Sequence, residues 1–319
     1  MSFILKRIVI SAVTLFLVSV LCFLAFSVIR GDPASYLAGI DSSAEQMSLL
    51  REEMGLNRNI FIRYFEWLFD FLSGNPGNSY SFRGESISLL ISQSFPVTLT
   101  LASLSLALIV LIAFPLSLFT VKREGNFIDN TVNIFTAAGI STPGFFLGLL
   151  LIYFFGFGLK LFIPGVFISY NESFFGFLGC LFFPALAIAI PNAAILTKFL
   201  RGSLFAELKN NYIRTAKSKG LGSFCILRKH ALKNAVLPSV SIMGMIIAEI
   251  FAGSVVIEQV FTLPGTGRLL IAAITSRDYP LIQALMVYIA FLVIAANTLA
   301  DIVIMSIDPR IRVTRDYVK

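Results

Sequence analysis

IVISAVTLFLVSVLCFLAFSVI, residues 8–29, carries no charged side chain, and Lys6 and Arg7 stand immediately before it. A helix of this length rises about 33 Å, enough to cross the roughly 30 Å hydrocarbon core of a bilayer. A secretory leader also opens basic and turns apolar, but its apolar part is shorter and ends at a small-residue cleavage site. This run is too long and no such site follows, so it is read as an uncleaved first span.

Five more apolar runs follow, at 97–121, 131–158, 173–197, 236–260 and 281–305. The third is long enough to tilt, or to be broken by Pro143 and Gly144. The fourth is interrupted by Pro184 and Pro191, and the fifth carries Glu249. The whole chain, 319 residues, is 57% hydrophobic and only 13% charged. A soluble domain carries roughly twice that charged fraction. The fold expected is therefore an all-α polytopic membrane protein with about six transmembrane helices in a single domain over 1–319. The length leaves no room for an ATPase domain, and no phosphate-binding G-x-x-x-x-G-K-[ST] loop occurs. Any active transport must draw its energy from a partner or an ion gradient.

The formal charge of +7 invites a nucleic-acid reading, but the basic residues sit in short loops between apolar runs. Lys122 and Arg123 follow the second run. Lys198, Arg201, Lys209, Arg214, Lys217, Lys219, Arg228, Lys229 and Lys233 follow the fourth, and Arg310, Arg312, Arg315 and Lys319 end the chain. These segments alternate so as to share one side with Lys6 and Arg7. By the positive-inside rule that side is the cytoplasm, and both termini lie there. The one sizeable segment on the other side, 30–95, is net acidic. Ser43-Ala44-Glu45-Gln46 is a capping-box pattern, and apolar stripes follow in Met47, Leu50, Met54 and Leu56 and then in Ile60, Phe61, Tyr64, Phe65, Leu68 and Phe71. Two short amphipathic helices at the outer membrane surface are expected.

The informative inner loop spans 201–235. Leu204, Leu208, Tyr212 and Ala216 lie on one helical stripe from about Ser203 to Lys219. Gly220-Leu221-Gly222 breaks it, a second short helix runs to about Ala235, and Pro238 is expected to open the fifth span. Two short helices with a glycine joint, held at both ends by spans, form a lever. Ala216 and Gly220 are small enough for a partner's backbone to approach. The basic residues could meet lipid headgroups or a partner's acidic rim.

Tyr212-Ile213-Arg214-Thr215-Ala216, Lys219-Gly220-Leu221, Asn234 and Leu237-Pro238 resemble the "EAA" coupling loop of ABC importer permeases. Arg214 stands where that loop usually has Glu, and Thr215 where it has Ala. The Arg-Thr-Ala variant resembles the dipeptide, oligopeptide and nickel branch. Further resemblances occur in order along the chain: Arg30-Gly31-Asp32-Pro33, Leu50 to Leu56, Pro264 to Leu270, Arg277-Asp278-Tyr279-Pro280 and Asp308 to Arg312. Together they cover nearly the whole chain and match the first permease of a pair.

The resemblance implies a type I importer permease in a bacterial cytoplasmic (inner) membrane. It implies a heterodimer with a second, related permease, two ABC ATPase subunits below and an extracytoplasmic substrate-binding protein above. ATP and magnesium would sit on the ATPases, and this chain would bind no cofactor or nucleic acid. Tyr212, Arg214, Thr215, Ala216, Lys219, Gly220, Leu221, Asn234 and Pro238 would form the coupling surface. Short peptides are the first cargo and nickel complexes the alternative.

Glu249 and Glu258 are the translocation-path candidates. For Glu249 the bland reading is a carboxyl facing the bundle or a partner, and for Glu258 a structural group at the outer end of its span. No catalytic constellation appears, so the chain is not expected to be an enzyme. Cys22, Cys180 and Cys225 are scattered and His230 is the single histidine, so no disulfide or metal site is expected. The rival class is a self-sufficient secondary transporter, which would need intramembrane charges or an inverted repeat.

Overall fold

The computed structural model describes residues 3–28, 44–53, 58–82, 84–123 and 125–307. The motif residues 30–33, Ser43, 54–56 and 308–312 lie outside the described residues. The elements in chain order are α1 (Phe3–Val28), α2 (Ala44–Glu53), α3 (Ile60–Leu72), α4 (Ile87–Val121), α5 (Phe127–Ser141), α6 (Gly144–Gly158), α7 (Phe174–Leu208), α8 (Asn211–Ser218), α9 (Ser223–Val260), α10 (Thr266–Thr275) and α11 (Tyr279–Ile307). Five of them are long and apolar enough to cross a membrane, or six if the pair α5 and α6 counts as one span.

Several element ends differ from the sequence expectation, and the differences share a cause. A proline removes one backbone donor and crowds the carbonyl four residues back. In a bilayer the rest of the ladder has no water to turn to, so it stays closed around the proline. Accordingly α4 begins at Ile87 rather than near 97 and carries Pro96 and Pro115 inside it. Pro184 and Pro191 lie within an unbroken α7. Pro238 lies inside α9 and does not open it. The chain from Ser223 is continuous with the fifth span, through a wide π turn at Leu227–Ala231. The inner loop's second short helix is thus the start of a long one.

Its first helix is also redrawn. α7 runs on to Leu208, and the short helix is confined to Asn211–Ser218. Residues 131–158 do not form one straight span. α5 and α6 meet at 105°, because Thr142, which precedes Pro143, is held extended (φ −95°, ψ 119°).

α7 packs along α4, α5, α6 and α9; α9 packs also on α4, α6, α10 and α11; α1 lies against α11. Leu101 and Ile109 of α4, Leu181 and Leu196 of α7, and Ile246 and Ile250 of α9 form the centre of this core. Polar clamps fix the periphery. Arg7 pairs with Asp301, and the Ser11 and Thr298 hydroxyls lie 2.9 Å apart, joining α1 to α11. Arg201 of α7 meets the buried Asp129 of α5 at 2.8 Å.

On the other side, Asn59 caps α3, its side chain accepting from the Phe61 N–H at 2.9 Å. Tyr64 is buried against α1, 2.8 Å from the Ser19 hydroxyl. Phe61, Phe65, Phe69 and Leu72 stay exposed along a flanking stripe, an apolar face suited to lipid.

Candidate functional site

The inner basic loop folds onto the ends of two spans. α8 presents Ile213 and Ala216, one turn apart, to a core made with Leu200 and Leu204 of α7 and Ile226, Leu227 and Ala231 of α9. Ile213 is fully buried, and sequence reasoning passed over it although its spacing to Ala216 is a helical contact spacing. Ala216 faces this core, so its small side chain serves the chain's own packing and not a partner's approach. The outward face carries Arg214, Thr215 and Lys217, all exposed, and continues into exposed Lys219, Gly220 and Leu221. Gly220 ends α8 with φ +76°, the left-handed conformation that glycine adopts without strain.

A polar network ties the three helices together. The Tyr212 hydroxyl is bonded to the Glu207 carboxyl at the end of α7, and Asn234 Nδ2 of α9 donates to the Tyr212 hydroxyl at 3.0 Å. Asn210 Nδ2 donates to Glu207 Oε2, also at 3.0 Å. Burial, and then the hydrogen bond to Glu207, push the Tyr212 phenol up from its ordinary value, so it stays protonated and donates. The fold thus brings Tyr212 and Asn234 together, with Glu207 as a third member that the sequence pattern does not single out. Exposed Pro238 lies one turn further along α9.

Tyr212→Phe is expected to loosen α8 by about 1 kcal/mol, the net value of one hydrogen bond. Hydrogen exchange of residues 211–218 should rise severalfold, and unchanged protection would remove the network from the account.

At the opposite end of α9, Glu258 is fully buried. The first N–H groups of a helix have no partner within it. Here Gly267 N–H and Arg268 N–H of α10 donate to Glu258 Oε2 at 2.8 and 3.1 Å, and the Thr98 hydroxyl of α4 donates to Oε1 at 2.6 Å. Glu258 therefore caps α10 from another helix and presents nothing to a path. Buried Asp278 does the same for α11. It accepts from Leu281 N–H at 3.3 Å, and from the Ser79 hydroxyl and Ser81 N–H at 2.5 and 2.9 Å, which fastens the segment before α4.

Glu249 is placed differently. It is exposed on α9, nine residues before Glu258, which is about 14 Å along the axis and on the opposite face of the helix. The two path candidates are thus not brought together. A charged side chain at a helix centre in lipid costs roughly 2.5–3.5 kcal/mol on insertion scales. Among the described residues no group of three or more His, Cys, Asp or Glu is placed to hold a metal ion.

The chain matches two protein-family models. Residues 110–313 match the "Binding-protein-dependent transport system inner membrane component", and residues 1–102 match its N-terminal companion. It is 35% identical over 310 residues to y4tP of Sinorhizobium fredii, which is named a probable peptide ABC transporter permease protein; the match covers 97% of this chain and 99% of that one. It is 34% identical over 312 residues to the oligopeptide transport system permease protein AppB of Bacillus subtilis, covering 97% and 99%.

Proposed function

Because the chain belongs to the binding-protein-dependent transport system inner membrane components, multi-pass proteins of the inner membrane, we propose that it is one of two permeases in an ATP-driven importer of short peptides. In this reading both termini and α8 face the cytoplasm. Two ATPase subunits carry ATP and magnesium and do the hydrolysis. A second, related permease completes the path, and an extracytoplasmic binding protein delivers cargo.

The observation that carries the reading is the two-faced α8. One face shares a core with the end of α7 and the start of α9. The other offers Arg214, Thr215, Lys217, Lys219, Gly220 and Leu221 to whatever lies below. A push on the outer face cannot be absorbed by α8 alone. Its packing against α7 and α9 moves both spans together, since close-packed interiors transmit displacement. Closure of the ATPases would thereby switch the path between inward-open and outward-open arrangements. The relatives' names support peptides as cargo.

Uptake of labelled short peptides and of labelled nickel, in cells with and without the chain, tests this. Loss of peptide uptake alone is expected. Loss of nickel uptake alone would move the cargo to metal complexes. Transport by the purified chain without ATPases would overturn the subunit reading.

A further inference from the structure

We propose that Glu249 faces the water-filled path and selects for positively charged cargo, short peptides whose N-terminal ammonium and Lys or Arg side chains outnumber their carboxylates. This rests on the importer reading above and adds a substrate class to it.

α9 packs on α4, α6, α7, α10 and α11, yet one stripe of it stays open along its length. That stripe is Ser241, Met245, Glu249, Ala252, Val256 and Gln259, all exposed and spaced three or four apart. The exposed large hydrophobic side chains of α1, such as Leu17 and Leu21, and of α6, such as Phe146 and Phe157, suit a lipid boundary. The α9 stripe does not, because a carboxyl group stands at its centre.

That carboxyl has no hydrogen-bond or ion-pair partner among the described residues. Nor can it escape along the helix. Lys233 lies 16 residues back and the end of α9 at Val260 lies 11 ahead, about 24 and 16 Å along the axis. Both are beyond the reach of a glutamate side chain. An ionisable group that cannot reach the interface and has no partner in its own chain must meet water or an opposite charge. Exposure on a helix that packs on five others places it toward the space shared with the second permease. A fixed negative charge in a passage with apolar walls concentrates cations and repels anions.

The test uses the complete importer, both permeases with ATPases and binding protein, in proteoliposomes. Initial uptake rates are measured for matched tripeptides of net charge +1, 0 and −1, each corrected for its affinity for the binding protein. Glu249→Gln is expected to lower the cationic-to-anionic ratio about tenfold, and Glu249→Asp to keep it. In parallel, cysteine at Met245 should react faster with a cationic than with an anionic water-soluble thiol reagent, and that preference should vanish when Glu249→Gln is added.

An unchanged uptake ratio with normal rates would overturn the proposal. So would equal loss of all peptides together with loss of the second permease on purification, since Glu249 would then be an assembly contact. A Met245 cysteine inert to both reagents would also overturn it. A wild-type complex that imports no peptide of any charge would overturn the importer reading itself, which separates the two failures.

Discussion

An importer carrying Gly220→Arg is expected to insert and fold normally yet import nothing. Gly220 has φ +76°, and no atom lies within 4 Å of where its Cβ would stand. The fold therefore has room for a side chain, and the cost within the chain is the left-handed backbone alone, about 1–2 kcal/mol. That is too small to unfold a domain with a stability of about 5–15 kcal/mol. The consequence lies outside. Gly220 is exposed beside Lys219 and Leu221 at the tip of α8, and in the proposed importer a long cationic side chain there would hold the ATPase surface away. Loss of a central contact of about 2–4 kcal/mol reduces the docked population by roughly 30- to 1000-fold.

Strain and bulk are separable in this experiment. Gly220→Asn adopts the left-handed conformation readily and is short, so it should keep most of the activity. Gly220→Ala carries the strain without the bulk and should lose little. Uptake in proteoliposomes with ATPase co-purification measures each variant. Normal import by a stably inserted Arg variant would remove Gly220 from the coupling surface.

The spans were legible because a bilayer imposes a length and a composition that local sequence cannot hide, as in the apolar run from Ile8, which α1 carries to Val28. The basic loop was legible as a helix with a glycine joint at Gly220. Its boundaries were not. Nothing in the pattern around Gly202 and Ser203 says that α7 continues to Leu208, because backbone hydrogen bonding does not stop at the membrane surface. The sense of Ala216 was inverted for a related reason. A small residue on a helix reads equally as room for a partner or room for a neighbour, and only the position of Leu204, Ile226 and Ala231 around it decides.

α10 escaped notice altogether. It is short, and its first N–H groups find their acceptor on Glu258 of another helix, so the local capping signal that marks a helix start is missing. For the same reason the sequence leaves Glu258 open between a structural group and a path group, and only its contacts with α10 and α4 favour the first.

That remote cap makes Gly267→Ala the most damaging conservative change expected in the chain. A Cβ at residue 267 would fall 2.4 Å from Val255 Cα, and one at residue 265 would fall 2.3 Å from Glu258 Cδ. A side-chain atom can swing aside, but Val255 Cα is backbone hydrogen-bonded within the last turns of α9 and cannot. Alanine at 267 must therefore lift α10 off α9, which pulls Gly267 N–H and Arg268 N–H away from Glu258. The Thr98 hydroxyl is held in the same cluster, for it also accepts from Thr266 N–H at 2.9 Å.

Glu258→Ala reaches the same end from the other side by leaving those three donors without an acceptor in a buried place. Each buried donor left without an acceptor costs about 1–3 kcal/mol. Glu258→Gln keeps one carbonyl oxygen and should cost about half as much. Thermal unfolding of the purified chain in detergent should rank the proteins wild type, Glu258→Gln, then Glu258→Ala and Gly267→Ala together. Limited proteolysis should cut the last two between 261 and 278 well below their unfolding temperature. A Gly267→Ala protein as stable as wild type and uncut in that segment would mean that α10 is not held by this junction. The close approach of Gly267 to α9 would then have no energetic weight.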